Sequence, residues 1–364
     1  MKEWQEYEIM HGNQRVASIN RNGLCQIYVE QMMPYNLYLE QGAEGDMDIR
    51  LQNLENFYHW CACRILTLDR EYAKEIFNSI GAYQAVTDKD RAQIALSYHC
   101  LSLMDIYWTK EYSEEQDFAS INLYENHLAT AFVDVALRGK QMTIENRYLI
   151  AADLSTQGQY PKAWIRRHGE FWLMKDGGEE AVGRELLASK ICRCFRVNQV
   201  MYEEDVYDGQ KVSVSRIITS LDRSIVPMEH FEIYAMNHDI ARLEYILTLD
   251  GYSYYMMNMI DYLTGNTDRH WGNWGLLIDN VTNKPVRLYD LMDFNRAFQA
   301  YDTLEGANCL TTGKKQSQKE AAIEAVGKVG LNQVADISPE WFVEDSIRTM
   351  FFKRLEVLKN EAQA

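Results

Sequence analysis

The sequence predicts an α+β protein in which a small sheet-bearing lobe precedes a larger helical lobe, with an additional, mostly helical region at the N-terminus. Three observations lead there. Short β-prone runs separated by polar turns cluster between residues 160 and 220, apolar residues recur at three- and four-residue spacing on either side, and only five prolines interrupt 364 residues. The implied divisions are 1–145, 146–222 and 223–364, in keeping with roughly 100–200 residues per domain.

Taken in order, residues 16–29 read as β structure, and 51–80 and 88–103 carry helical spacing with little Gly or Pro. Residues 163–165 and 170–174 are β-prone and are joined by the polar turn Arg166-Arg167-His168-Gly169, which signals a hairpin. Gly177-Gly178 then breaks the strand pattern, and 179–195, rich in Ala, Leu, Glu and Lys, reads as a helix. Residues 211–220 return to β-like alternation. Helical patterns follow over 230–263, then a Gly/Asn/Asp-rich loop over 265–275, then short strands at 276–278 and 286–289 around a turn. Near the end, Ser338-Pro339-Glu340 offers a helix N-cap, a first-turn proline and an early acid.

Composition narrows the function. Hydrophobic residues at 47% and charged residues at 25% are globular averages, so neither disorder nor a coiled-coil rod is expected. The balance of 37 Lys+Arg against 53 Asp+Glu gives a net charge of −16. That excess disfavours direct nucleic-acid binding, which rests on basic side chains displacing counterions, and it disfavours an anionic membrane surface. A phosphorylated ligand would need a local basic pocket. No apolar leader follows Met1, and the most hydrophobic stretch, 252–263, is broken by Asn258 and Asp261 and is short for a bilayer. A cytoplasmic location is the expectation. The seven cysteines then read as reduced thiols packed in cores.

The densest chemical constellation is Thr267-Asp268-Arg269-His270-Trp271-Gly272-Asn273-Trp274-Gly275, between a helix and a strand. Phosphoryl transfer needs a carboxylate to orient or accept the proton of the attacking hydroxyl, and oxygen ligands to hold Mg²⁺ across the phosphates. Asp268 and Asn273 have the five-residue separation of the catalytic Asp and metal-binding Asn in the protein-kinase loop. Asp293-Phe294-Asn295 stands where a kinase places its second metal anchor, and Asp290 competes for that role. Lys175 ends a β-prone run and Glu185 lies on the next helix, the positions of a phosphate-binding lysine and its positioning acid. Upstream, Ser155-Thr156-Gln157-Gly158 is a small-residue loop whose backbone N–H groups could meet phosphate oxygens. Trp271 and Trp274 read as packing anchors, and His270 as a support for the loop.

Together, Asp153-Leu154-Ser155-Thr156-Gln157-Gly158, Lys162-Ala163-Trp164, Trp172-Leu173-Met174-Lys175, Glu185-Leu186-Leu187-Ala188-Ser189 and Asn266-Thr267-Asp268-Arg269-His270 with Asn273 and Gly275 resemble the ordered motifs of HipA-like kinases. These are serine/threonine kinases of bacterial toxin–antitoxin modules and their relatives. The resemblance covers about residues 145–300. It implies a two-lobed protein-kinase-like fold, ATP and Mg²⁺ as cofactors, Asp268 as the catalytic residue, and Asn273 and Asp293 as metal ligands. It further implies that Ser155, Thr156, Gly158, Lys162, Lys175 and Glu185 bind or position the nucleotide. Ser155, with Thr156 as substitute, becomes a site of autophosphorylation. Some relatives carry the metal Asp in a context like Tyr289-Asp290-Leu291-Met292 and others in one like Asp293-Phe294-Asn295; the second is favoured here. The long N-terminal region departs from the short subdomain of the toxin kinases. The expected function is phosphorylation of a Ser/Thr hydroxyl on a protein, with an antitoxin-like or regulatory protein as a further partner. A nucleotide-binding pseudokinase is the main alternative, and a phosphoinositide kinase a lesser one, since Asp-Arg-His-x-x-Asn also resembles lipid-kinase loops.

Overall fold

A computed structural model describes residues 6–65, 87–126, 161–299 and 301–363. Strands β1 (Glu6–His11), β2 (Gln14–Asn20) and β3 (Cys25–Ile27) join β4 (Tyr107–Glu111) in an antiparallel sheet of order β3-β2-β1-β4. Helices α1 (Met47–Ala62) and α2 (Asp88–Ser97) pack on each other, and a single turn, α3 (Phe118–Ile121), follows. Asp46 caps α1 by accepting from the N–H groups of Asp48 and Ile49, and Thr87 closes a capping box with Asp90 on α2. The helical spacing expected over 51–80 begins in α1; residues 66–86 lie outside the described residues.

The second sheet has the order β5-β6-β8-β7, built from β5 (Lys162–Arg167), β6 (Glu170–Lys175), β7 (Tyr202–Tyr207) and β8 (Gln210–Arg216). Its hairpins turn through His168-Gly169 and Asp208-Gly209, four residues that all have positive φ, the geometry that matches strand twist across a two-residue turn. Helix α4 (Gly178–Cys192) packs against β7 and β8. One apolar core runs from Ile9, Val16, Phe57, Trp60 and Trp108 into Ala163, Phe171, Met174, Val212 and Val214, so the first two sheets share a buried interior.

The third sheet, β9 (Arg223–Pro227), β10 (Gly275–Asp279) and β11 (Lys284–Leu288), has β10 in the centre. Helices α5 (Met228–Asn237), α6 (Arg242–Thr264), α7 (Gln318–Val329) and α8 (Asp345–Glu361) surround a second core that includes Phe231, Met259, Ile260, Phe294, Phe351 and Leu355. The helical run expected over 230–263 is two helices, and the second is kinked at Asp250, whose carboxylate accepts from Ser253 N–H (3.1 Å) and Leu288 N–H (3.0 Å). Ser338 caps a single 3₁₀ turn, Pro339–Trp341, and not the terminal helix. Among the described residues no helix is long and apolar enough to cross a membrane.

The N-terminal part is bonded to the rest at several points. Asn283 Nδ2 donates to the carbonyls of Gln31 (3.0 Å) and Met33 (3.1 Å), Thr219 Oγ1 donates to Leu103 O (2.5 Å), and Ile225 N–H donates to Met104 O (2.9 Å).

Candidate active site

Lys175 ends β6, where register sets it opposite Lys162 on β5 and Ser213 on β8. Two cations facing each other across a strand pair repel, so the site must supply carboxylates. Glu185, on the face of α4 turned to the sheet, is 1% exposed and provides one. Lys175 Nζ donates to Glu185 Oε1 (2.8 Å), Asp293 Oδ1 (3.3 Å) and Tyr202 Oη (3.4 Å), which uses all three ammonium protons. Ser213 Oγ donates to the other Glu185 oxygen at 2.5 Å. Burial alone would lower the Lys175 pKa, but Asp293 and Glu185 hold it well above the usual lysine value.

Asp293 arrives from the segment after β11 with φ 63°, a backbone conformation that a non-glycine residue holds only at a cost of about 1–3 kcal/mol. Its own N–H donates to Tyr202 Oη at 3.1 Å, and Asn266 Nδ2 donates to its carbonyl at 3.2 Å. Burial would raise its pKa, yet Lys175, Lys162 and Arg269 bring it below the usual carboxylate value.

The loop that carries Asp268 begins at Gly265, which ends α6 in the left-handed region; a Cβ there would lie 2.4 Å from the Tyr301 ring. Arg269, 2% exposed, fixes the loop from inside. Its guanidinium donates to both Asp261 oxygens (2.9 and 3.0 Å), to Asn273 O (2.8 Å) and to Met292 O (2.5 Å). One side chain therefore ties α6 to Asn273 and to Met292, the residue before Asp293. Asn273 Nδ2 donates to Asp268 O at 2.8 Å, leaving Oδ1 as its acceptor. His270 Nδ1 accepts the Gly272 N–H at 3.0 Å, Trp274 is buried, and Trp271 lies under the Arg242 guanidinium at 3.9 Å. Burial raises the Asp268 pKa; Arg296, whose Nη1 is 3.5 Å from Asp268 Oδ1, opposes the rise, and Asp293 adds to it.

Lys162, Lys175, Asp268, Asn273 and Asp293 line one cavity of about 560 Å³, together with apolar groups that include Leu173, Ile217, Ile218 and Met292. That volume is within the range of small-molecule sites. Leu103 and Met104 of the N-terminal part also line it, a contribution without any signal in the sequence pattern. Asp290 is outside the lining and pairs instead with Arg287, Oδ1 to Nη2, at 2.7 Å. Ser155, Thr156 and Gly158 lie outside the described residues. Among the described residues no group of three or more His, Cys, Asp or Glu is arranged to hold a metal. Asp293 and Asn273 are hard oxygen donors that suit Mg²⁺ when phosphate oxygens complete its shell. Sequence reasoning missed Tyr202, Arg296 and the Asp261–Arg269 pair. A carboxylate interrupting the apolar stretch 252–263 was the available sign of the last.

No protein-family model matches the chain, and no curated protein matches it by sequence. Among solved structures, HipA of the Shewanella oneidensis MR-1 toxin–antitoxin system, solved with HipB and its operator DNA, matches over 98% of this chain and 99% of that chain, with a TM-score of 0.56 at 12% identity. The Helicobacter pylori proinflammatory kinase CtkA matches over 55% of this chain and 92% of that chain, with a TM-score of 0.41 at 14% identity. The likeness to HipA is one of fold and extends over nearly the whole chain.

Proposed function

We propose that this HipA-like fold is an ATP- and Mg²⁺-dependent kinase that transfers the γ-phosphoryl group to a Ser/Thr hydroxyl of a protein. The observation that carries the reading is Lys175, whose ammonium joins Glu185 and Asp293 at the wall of the cavity that Asp268 and Asn273 also line. In this reading 146–222 is the nucleotide-binding lobe and 223–364 the catalytic lobe. Lys175 and Lys162 form the local cationic patch that holds phosphates against a net charge of −16. Asp293 and Asn273 would hold Mg²⁺, which when bound neutralises charge on the transferring phosphate.

Asp268 orients the acceptor hydroxyl and takes its proton; burial shifts its pKa upward, in the direction that suits a base. Leu103, Met104, Ile217 and Ile218 exclude water around the base of the nucleotide. Ser155, with Thr156 as substitute, is the regulatory autophosphorylation site, and an antitoxin-like protein is the partner suggested by the HipA–HipB complex.

The test is transfer of label from ATP to a protein Ser/Thr acceptor by wild type and Asp268→Ala. Loss of a positioned proton-handling group costs on the order of 10²–10⁴ in rate. The variant should lose that much while melting as the wild type does. Equal transfer by the two proteins would contradict the reading.

A further inference from the structure

At the far end of α1, away from this cavity, three side chains form a second chemical constellation. His59 is in the last turn of α1, Cys63 caps its C-terminus four residues on, and Asp88 opens α2. Cys63 Sγ is 3.5 Å from His59 Nε2, and His59 Nδ1 is 3.0 Å from Asp88 Oδ2. An ionised Asp88 only accepts, so Nδ1 carries a ring proton and Nε2 faces the Cys63 sulfur. Arg91 Nη2 holds the other Asp88 oxygen at 2.5 Å. This is the order of a nucleophile, the imidazole that activates it and an orienting acid. The His59 and Asp88 side chains are 52% and 47% exposed, so a solute can reach them.

The surroundings hold His59 as an imidazolium at neutral pH. Its bond to Cys63 and then the attraction of Asp88 raise its pKa to about 9, against the effect of burial. The helix dipole favours an imidazolium in the last turn but opposes a thiolate at the cap, so activation rests on the ring. Cys63 also borders a cavity of about 30 Å³ shared with Arg64, Asp105, Tyr35, Tyr107 and His230. Arg64 and Asp105 neutralise one another in a two-pronged pair, the tyrosines are held protonated by burial, and burial lowers the His230 pKa to about 4. Such a cavity admits only a molecule near the size of water.

We propose that Cys63 is an oxidative modification site at which hydrogen peroxide acts, with the His59 imidazolium stabilising its thiolate and Asp88 as the residue that positions His59. The Cys63 thiolate, paired with the His59 imidazolium, attacks a peroxide oxygen. The S–O bond forms as the O–O bond breaks, and the leaving hydroxide takes the Nε2 proton of His59 and departs as water. Sulfur is oxidised to sulfenic acid and the peroxide is reduced.

The test is treatment of the full chain with hydrogen peroxide and dimedone, with label at each cysteine read by peptide mass spectrometry. At pH 7 Cys63 should label at least about tenfold faster than Cys309 or Cys25, because the thiolate is the nucleophile. His59→Gln should remove the advantage. Equal rates at the three cysteines, or unchanged labelling in a folded His59→Gln, would each overturn the proposal.

Discussion

Lys175 and Glu185, ten residues apart on β6 and α4, meet at 2.8 Å in a site where the lysine is 8% and the glutamate 1% exposed. Removing the lysine leaves the buried Glu185 and the half-buried Asp293 without their common counter-charge. Breaking a buried pair this way typically costs about 3–5 kcal/mol. Lys175→Met should lose stability of that order in urea unfolding. Adding Glu185→Gln should recover part of the loss, so the double variant should be less destabilised than the sum of the single changes.

Asp268 has the opposite balance. Its folded-state pKa is raised, so the folded protein favours the neutral form, and the ionised carboxylate costs stability once the pH rises above the folded value. Asp268→Asn keeps the shape and removes that charge. Its melting temperature at pH 7 should rise by about 1–2 °C, while phosphoryl transfer is lost. A scan of thermal unfolding beside the transfer assay checks both.

Asp293 titrates in the reverse sense. Its folded pKa lies below the ordinary 3.8, so it stabilises the fold above that value and the contribution is lost as the pH falls through the folded one. Asp293→Asn should therefore flatten the acid end of the stability profile relative to wild type, below about pH 4. Urea midpoints measured from pH 6 to pH 3 give the comparison.

Arg269 is expected to resist conservative replacement. A lysine cannot span Asp261, Asn273 O and Met292 O together, because its ammonium lacks the planar fork. Arg269→Lys should lower transfer by at least about tenfold through misplacement of the loop, with nucleotide affinity affected less than turnover. Steady-state kinetics would separate the two.

The groups named from sequence were those whose signals are local. Asp268 and Asn273 share one loop, Lys175 ends a hairpin strand, Glu185 lies in the next helix, and the fold brings the first three to one cavity with Glu185 bonded to Lys175. Groups whose partners are distant in the chain were not legible: Arg269 finds its neighbours on α6, at Asn273 and at Met292 only after folding. The choice between Asp290 and Asp293 depends on how the chain leaves β11, which three residues of sequence do not encode. Strand β4 escaped notice because Tyr107, Trp108 and Thr109 are all buried, so alternation is absent. Strand β7 escaped because Glu203, Glu204 and Asp205 make an exposed edge read as a loop.

The most direct measurement is the melting shift given by Mg-ATP over ATP alone in wild type, Asp293→Asn and Asp290→Asn. Saturating ligand at about 100 times its dissociation constant stabilises by roughly 2.7 kcal/mol. The expected result is a Mg²⁺-dependent shift that survives in Asp290→Asn and disappears in Asp293→Asn. A shift lost in Asp290→Asn and kept in Asp293→Asn, or no Mg²⁺-dependent shift in the wild type, would contradict a magnesium-bound triphosphate held between Lys175, Asn273 and Asp293.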